Sequence, residues 1–587
     1  MGKAFALLSA GLAVLTLFFG LGGYGLIDPD EGRYAEIPRE MLETGDFITP
    51  RLNYVEYFEK PVLHYWLTAA SFAVFGRNEF AARLVPALCA LGGAGLVFVL
   101  ARRNWDRDAG VCAAAILSSG LLWFAIARLN ILDMTVSFFI TLAVAGFWMA
   151  CEERVPGESE ASGRAEKSRR YLLLFYAGMA FATLTKGLIG VVLPGGIAFW
   201  TVVFTRRWGL IRRTLYRPGI VLFFLLTVPW FWAVCAENGD FFHFFFVREH
   251  FLRYATSMHD RYEPFWFFLP VLAAGLLPWT GLLPGMFGEM LGAVRRGNGG
   301  GRERFSGVLL GLWFAVPFVF FSLSGSKLVP YIVPCLPPLA ISGGRLLALM
   351  AKGGTKEGKE GGETGSAKEK SRKKSTEKSA GRFVFLNGAV LSLAAAAGVV
   401  YPLMDKKAGA ELCLYTLPAA ASLALFAFCG VFFHRRREYG KMVRVLCVLA
   451  FVNAAVFSRG FAFKARLDSC RDLAAAIRER AAPEDIVVSY RDIRQSLAFY
   501  LNRRIVLAEV LGELRFGAEQ EKDPRWFIGR EALEALWSGK KRVFLAADTR
   551  ETAELSLLLK GNPVIELNRT RNDVLLSNFS NSQTVSE

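Results

Sequence analysis

The stretch AFALLSAGLAVLTLFFGLGGYGLIDPDEGRYAEIPRE, residues 4–40, decides what kind of protein this is. Residues 4–26 carry no charge, and about 20 such residues is the length a helix needs to cross the hydrocarbon of a bilayer. Residues 27–40 are the reverse: they hold Asp28, Asp30, Glu31, Arg33, Glu36, Arg39 and Glu40. An apolar helix that hands the chain straight to dense charge reads as a membrane span opening into a polar loop. The apolar part is too long for the core of a secretory signal, and no A-x-A cleavage site follows it. It is therefore expected to be a retained helix, with Lys3 and the N-terminus on the cytoplasmic side.

The rest of the chain repeats the first half of that pattern. Of 587 residues, 53% are hydrophobic, 50 are Phe, and only 21% are charged. That composition excludes a soluble globular enzyme, a disordered chain and a disulfide scaffold. Further apolar runs fall near 80–101, 109–127, 132–151, 171–184, 188–204, 218–236, 265–286, 306–324, 329–350, 383–402, 412–433 and 442–459. With the first they predict about thirteen transmembrane helices, of which 171–184 is short and 329–350 carries four prolines. Proline is tolerated in membrane helices when neighbours satisfy the freed carbonyls. The nine cysteines show no CxxC or metal-type spacing and read as small apolar residues. The net charge of +17 does not point to nucleic acid, because the basic residues sit in short connections between spans. With the N-terminus inside, the even-numbered connections are cytoplasmic, and they hold 31 of the 69 Lys and Arg residues. An odd number of spans places the C-terminus outside.

Four regions follow. Residues 1–350 form a membrane region that includes the first outer loop, 27–79. Residues 351–382 are a Gly/Lys/Glu/Ser-rich segment, read as a disordered cytoplasmic linker, and 383–459 supply the last spans. Residues 460–587 alternate helix-like stretches (471–482, 493–501) with strand-like ones (485–490, 504–509, 542–546, 563–567). This predicts a small α/β domain on the outer side, without a Gly-rich phosphate loop or a catalytic motif, hence structural or partner-docking.

The chemistry is expected in the outward connections. Loop 27–79 is far longer than a hairpin requires and adds Glu59 and Lys60 to its early charges; its segments 34–44 and 62–75 look amphipathic and are expected to lie in the interface plane. RLNILD, 128–133, places Asp133 at the outer end of a span, and 237–264 mixes many aromatics with His250 and Arg253. Lys186 and Lys327 stand in two shorter outward segments. Ionisable groups at the hydrocarbon boundary cost free energy unless they are paired or face a cavity, so they are functional candidates. Carboxylates orient or activate a nucleophile and stabilise an oxocarbenium, and lysines and arginines hold a phosphate leaving group. Together they suggest an outward-facing site for a membrane-bound phosphate ester. Plainer readings stand beside this one: Asp30 or Glu31 as a helix cap, Asp133 as an interfacial acid, His250 as a packed ring, and Lys60, Lys186 and Lys327 snorkelling to headgroups.

The runs DPDEGRYAEIPREML, GDFITPRLN and YFEKPVLHYW resemble the lipid-linked-sugar transferases of the protein-mannosyltransferase superfamily, and most closely the bacterial 4-amino-4-deoxy-L-arabinose (aminoarabinose) lipid A transferase group. RNEFAARL, LDM, TKG, FFFVREHFLRY, RYEPFWFFLPVLAAGLLPW and SKLVPYIVPCLPPLA extend the likeness over most of residues 1–350. The resemblance implies a polytopic α-helical GT-C fold in the bacterial inner membrane with periplasmic juxtamembrane helices. It implies inverting transfer of a sugar from undecaprenyl phosphate to a periplasmic acceptor: lipid A phosphate in this group, or a protein or glycan hydroxyl in other branches. It implies Asp30 as the principal catalytic acid, joined by its neighbour Glu31, and Asp133 as the second acidic position. Lys60, Arg33, Lys186, Arg253, Lys327 and Tyr331 would bind the donor phosphate, and Glu59 with His250 would hold a divalent metal; no nucleotide cofactor is implied. DEGRY stands where DETRY is expected in the enterobacterial members, and HYW replaces GYW. A lipid-linked-sugar flippase would also be polytopic, but it should show internal repeats and charges near the midplane, and neither is found.

Overall fold

The computed structural model describes residues 2–152, 161–246, 263–296, 301–353, 367–404 and 409–579. The chain starts with helix α1 (Lys3–Phe18), then α2 (Asp30–Thr44), a tiny hairpin of β1 (Arg51–Leu52) and β2 (Val55–Glu56), and α3 (Leu63–Phe75). A helical bundle follows, including α4 (Glu79–Asn104), α5 (Arg107–Ser119), α6 (Leu121–Ala127), α7 (Leu132–Glu152), α8 (Ala161–Lys186) and α9 (Ile189–Thr205). Local chemistry sets these limits. The Asn78 and Asp106 side chains accept hydrogen bonds from the amides of Ala81 and Ala109, capping α4 and α5. Gly45, at φ 74°, takes the left-handed turn that ends α2, a conformation that costs glycine little.

Each of the thirteen apolar runs contains helix, but thirteen full spans are not found among the described residues. Among the described residues, eight helices are long and apolar enough to cross a membrane, and two bent pairs bring the number to at most ten. The run at 109–127 is broken between α5 and α6 by a 64° bend, and that at 265–286 by a 113° bend between Phe268–Gly275 and Thr280–Arg295. Helices α1 and α9 are 16 and 17 residues long, and α8 opens on the charged stretch RAEKSRR. Apolar periodicity sees none of these breaks, because a bent helix keeps its hydrophobicity.

Described residues beside four of the connections read as cytoplasmic meet at one end of the bundle. There Lys352 pairs with Asp106 at 2.8 Å, Arg302 donates to the Arg103 carbonyl at 3.0 Å, and Arg103 reaches the Tyr171 hydroxyl at 3.1 Å. The polar groups of the first loop lie at the other end.

Residues 486–577 contain a six-stranded sheet in the order β5-β4-β3-β6-β8-β7, formed by β3 (Ile486–Tyr490), β4 (Val506–Ala508), β5 (Phe527–Ile528), β6 (Val543–Asp548), β7 (Ile565–Arg569) and β8 (Asp573–Ser577). The first four strands are parallel and β8 is antiparallel to both neighbours. The four predicted strands are β3, β4, β6 and β7; two-residue β5 and DVLLS (β8) extend the sheet. This α/β unit sits directly on the first loop. The Leu26 amide donates to the Tyr500 hydroxyl at 2.7 Å, the Asp28 amide to the Asp468 carbonyl at 2.9 Å, and the Asn53 side chain pairs with both backbone groups of Ile505 at 2.9 and 3.0 Å.

Candidate functional site

The site is built on the first turn of α2. Asp30 and Glu31 open that helix, where carboxylates meet the positive end of the macrodipole. Adjacent residues stand about 100° apart on a helix, so the pair splits. The Asp30 side chain is 58% exposed, and its ion-pair partner among the described residues is Arg33, at 3.4 Å. Glu31 points inward and is 2% exposed. Its oxygens accept from Arg83 Nε at 2.8 Å, Arg83 Nη2 at 2.7 Å, the Asn130 amide at 2.7 Å and the Ile27 amide at 3.0 Å. Arg83 gives its remaining donors to the carbonyls of Leu21, Tyr24 and Gly25 at 2.8 to 2.9 Å, and its guanidinium lies 3.7 Å from the Tyr24 ring centre. Glu31, expected to take part in the chemistry, is thus buried and ties α2 to α4 and to the RLN turn.

Around Asp30 the first loop and the α/β unit bring polar groups together, a region termed the cleft. Arg33 donates through Nε and Nη2 to the two oxygens of Glu513, at 3.0 and 2.7 Å. Glu513 also accepts from Gln495 at 2.6 Å. Arg33, expected as a phosphate ligand, thus has its fork filled by a carboxylate from the C-terminal unit. Tyr34 packs edge-on to His64 and stacks against Tyr65, with ring centres 5.8 and 6.0 Å away, and lies within electrostatic reach of both Asp30 and Asp133. Asp133, at the start of α7, forms an ion pair with Lys186 from the end of α8. The Lys186 ammonium lies 4.5 Å from the centre of the Tyr331 ring, so the sequence-predicted Asp133, Lys186 and Tyr331 do meet. Glu59 lies within electrostatic reach of Glu513 and Tyr57, and the Lys60 ammonium sits 3.6 Å from the Glu59 carboxylate. Lys327 is placed differently from the expectation. Its ammonium donates to the carbonyls of Glu263 and Ser324, both at 2.8 Å, and so holds the turn before Val329. His250 and Arg253 lie outside the described residues. Among the described residues no three His, Cys, Asp or Glu side chains gather to hold a metal ion. Glu59, beside an ammonium, makes no ion site by itself.

Three contributors were not read as site residues in the sequence: Arg83, Glu513 and Asp28. A lone arginine at the start of an apolar span is a usable signal, and it marks Arg83. Glu513 carries no signal, because its partner lies 480 residues away. Asp28 accepts from the Ser496 amide at 2.9 Å, from the Ser496 hydroxyl and from the Cys470 thiol at 3.5 Å. Gly32 allows this seat, since any side chain there would run into the Ser496 amide and the Asp28 carboxylate. Glycine in DEGRY is thus explained by how closely the α/β unit approaches.

Burial pushes the Asp28 carboxyl up to about 7, against the pull of its hydrogen bonds. A carboxyl whose folded pKa is raised keeps its proton in the folded state while the unfolded chain loses it from about pH 4 upward. Its contribution to stability is full below about pH 4 and is lost as pH rises to about 7. Glu513 is pushed in the same direction by burial, with Arg33 opposing. The thermal unfolding midpoint of the α/β unit in detergent is expected to fall between pH 5 and pH 7.5, with a shallower slope in Asp28→Asn. Equal slopes in the two proteins would show that Asp28 is not the group that titrates.

Comparison with known proteins agrees with this architecture. Residues 5–245 match the dolichyl-phosphate-mannose-protein mannosyltransferase family, and residues 473–578 match the aminoarabinose transferase C-terminal domain. Together the two matches take in more than half of the chain. An undecaprenyl phosphate-alpha-4-amino-4-deoxy-L-arabinose arabinosyl transferase 2 from Pseudomonas fluorescens is 37% identical over 352 residues, 59% of this chain and 60% of that protein. A Pseudomonas aeruginosa transferase of the same name is 37% identical over 346 residues, 57% of this chain and 59% of the relative. The match thus spans about three fifths of these relatives' length. The crystal structure of ArnT from Cupriavidus metallidurans bound to undecaprenyl phosphate superposes with a TM-score of 0.83 at 28% identity, covering 100% of both chains.

Proposed function

We propose that the chain belongs to the aminoarabinose-transferase branch of the protein-mannosyltransferase superfamily, and that it transfers 4-amino-4-deoxy-L-arabinose from undecaprenyl phosphate to a phosphate of lipid A. The fold is GT-C, and the protein is a multi-pass membrane protein. We place it in the bacterial inner membrane with the N-terminus in the cytoplasm, on the strength of the basic connections collected at one end. The cleft and the α/β unit then face the periplasm.

One observation carries the reading of the site. Of the two carboxylates that open α2, only Asp30 is free to meet a substrate, and it does so from a rigid helix start beside an arginine and within reach of a tyrosine shared with Asp133. In the reaction a lipid A phosphate oxygen attacks the anomeric carbon from the face opposite the leaving group. The C–O bond to undecaprenyl phosphate breaks, and its electron pair stays on the departing phosphate. The attacking oxygen is already anionic, so Asp30 need not remove a proton. It orients the acceptor or the sugar amine. Lys60 and Lys186, with Arg253, meet the charge that grows on the leaving phosphate, where preorganised cations contribute most. Asp133 holds Lys186 in place. Arg33, already bridged to Glu513, fixes the side of the cleft next to Asp30. Glu59 with His250 is the expected ligand pair for a divalent ion, and no step here depends on it.

Mass spectrometry of lipid A tests this reading. The host would be a Gram-negative strain that makes the donor but lacks its own transferase. Expression of the chain is expected to add a pentosamine to lipid A, and Asp30→Asn at equal abundance is expected to add none. Unmodified lipid A beside well-folded native protein would sink the lipid A assignment and direct the search to hydroxyl acceptors.

A further inference from the structure

The α/β unit carries a second polar feature that the reaction above does not use. A hollow of about 540 Å³ opens on its surface between the end of the Arg471–Arg478 helix, the end of the Gln495–Leu501 helix and Trp526. That is the size of a small-molecule site. Three arginines line it: Arg478, Arg503 and Arg504. Each keeps capacity for an anion. Arg478 is exposed and has no carboxylate partner among the described residues. Arg503 is tied through Nη2 to a carbonyl, that of Asp485, at 2.6 Å. Arg504 pairs with Glu521 through Nη2, but its Nε is buried and makes no hydrogen bond. Its guanidinium lies 4.4 Å from the centre of the Trp526 ring, which fixes that indole at the edge of the hollow.

Arginines that face a ring recognise a phosphorylated sugar: the guanidinium fork matches phosphate oxygens, and the ring offers a flat apolar face. The hollow is joined rigidly to the cleft. The helix whose end, Leu501, lines it starts at Gln495, which binds Glu513, and at about 1.5 Å per residue those ends are some 9 Å apart. Ile505, the residue after Arg504, is the one clamped by Asn53 of the first loop.

We propose that this hollow is an exosite for the acceptor and binds a second phosphorylated sugar of its headgroup while another phosphate enters the cleft. The proposal rests on the reading that the acceptor is a phosphorylated glycolipid. It gives the C-terminal unit a part in choosing that acceptor.

Isothermal titration of the full-length chain in detergent tests it. The probe is a bis-phosphorylated glucosamine disaccharide, run beside its unphosphorylated form and inorganic phosphate. Arg478→Glu and Trp526→Ala are each expected to raise Kd for the bis-phosphate about tenfold. Lys560→Glu, an equal charge change elsewhere on the unit, is expected to leave it unchanged. In a transfer assay the two hollow variants are expected to raise KM for the acceptor and not for the donor, with thermal midpoints matching the native chain. An unchanged Kd in both variants overturns the proposal, as does failure of the native chain to bind the bis-phosphate. Equal affinity for inorganic phosphate reduces the hollow to an anion site and overturns its role as a sugar exosite. Binding that depends on Arg478 and Trp526 without any sugar transfer would leave the exosite standing and remove the proposed reaction instead.

Discussion

Asp30→Asn is expected to lower the rate of sugar transfer by about a thousandfold, the size of effect that follows loss of a positioned catalytic carboxylate, and to leave the fold intact. The two halves of that expectation come from the same geometry. The carboxylate is more than half exposed, and its ion pair among the described residues is the 3.4 Å approach of Arg33. An exposed pair of this kind contributes about 0–1 kcal/mol, and the favourable placement at the helix start adds about 0.3–1 kcal/mol. Asparagine keeps the size of the side chain and its ability to accept a hydrogen bond. It loses the negative charge that holds an ammonium or steadies a cationic sugar ring. Single-turnover rates with purified lipid-linked donor and lipid A, measured beside thermal melting, separate the two effects. A loss below about tenfold at unchanged stability would remove Asp30 from the chemistry and leave Asp133 as the acid to test next.

The charges of the candidate site are legible in the sequence as a region, whereas what each of them contacts is not. Hydrophobicity is additive along the chain, so each apolar run marks a place where helix is found. A run does not report a bend such as that at Gly120, or the shortness of α1. The acidic loop was legible because so much charge beside a span needs a reason. What each charge does depends on partners that sequence spacing does not reveal. Glu36 and Arg39 close on each other at 2.7 Å within one helix, an i, i+3 pairing that can be read from the sequence. Glu31 instead finds Arg83 52 residues on, and Arg33 finds Glu513 480 residues on. The α/β unit read as structural because it carries no motif of its own. Its part in the site lies in one carboxylate and in the way the Gln495–Leu501 helix seats on Asp28 and Gly32. A docking surface of that kind has no linear signature.

Glu31→Gln tests the opposite fate for the other member of the pair. It is expected to cost the protein its folded state rather than its chemistry. The native arrangement is closed: the five N–H donors of Arg83 all have acceptors, and both Glu31 oxygens are used. A glutamine offers one acceptor where two are needed and turns an amide donor toward the guanidinium. Arg83 would then be a fully buried cation with only carbonyls around it, and breaking one side of a buried pair costs about 3–5 kcal/mol. Against the roughly 5–15 kcal/mol that separates folded from unfolded states in typical proteins, that is a large share. The loss should show as reduced yield, aggregation on size-exclusion chromatography and a lower melting midpoint. Arg83→Met added to Glu31→Gln removes the stranded charge and is expected to recover part of that midpoint, the non-additivity that marks a direct pair. If Glu31→Gln instead melts with the native chain and still fails to transfer sugar, Glu31 acts on the substrate. Asp30 and Glu31 would then have to be treated as a catalytic pair, despite the burial that separates them.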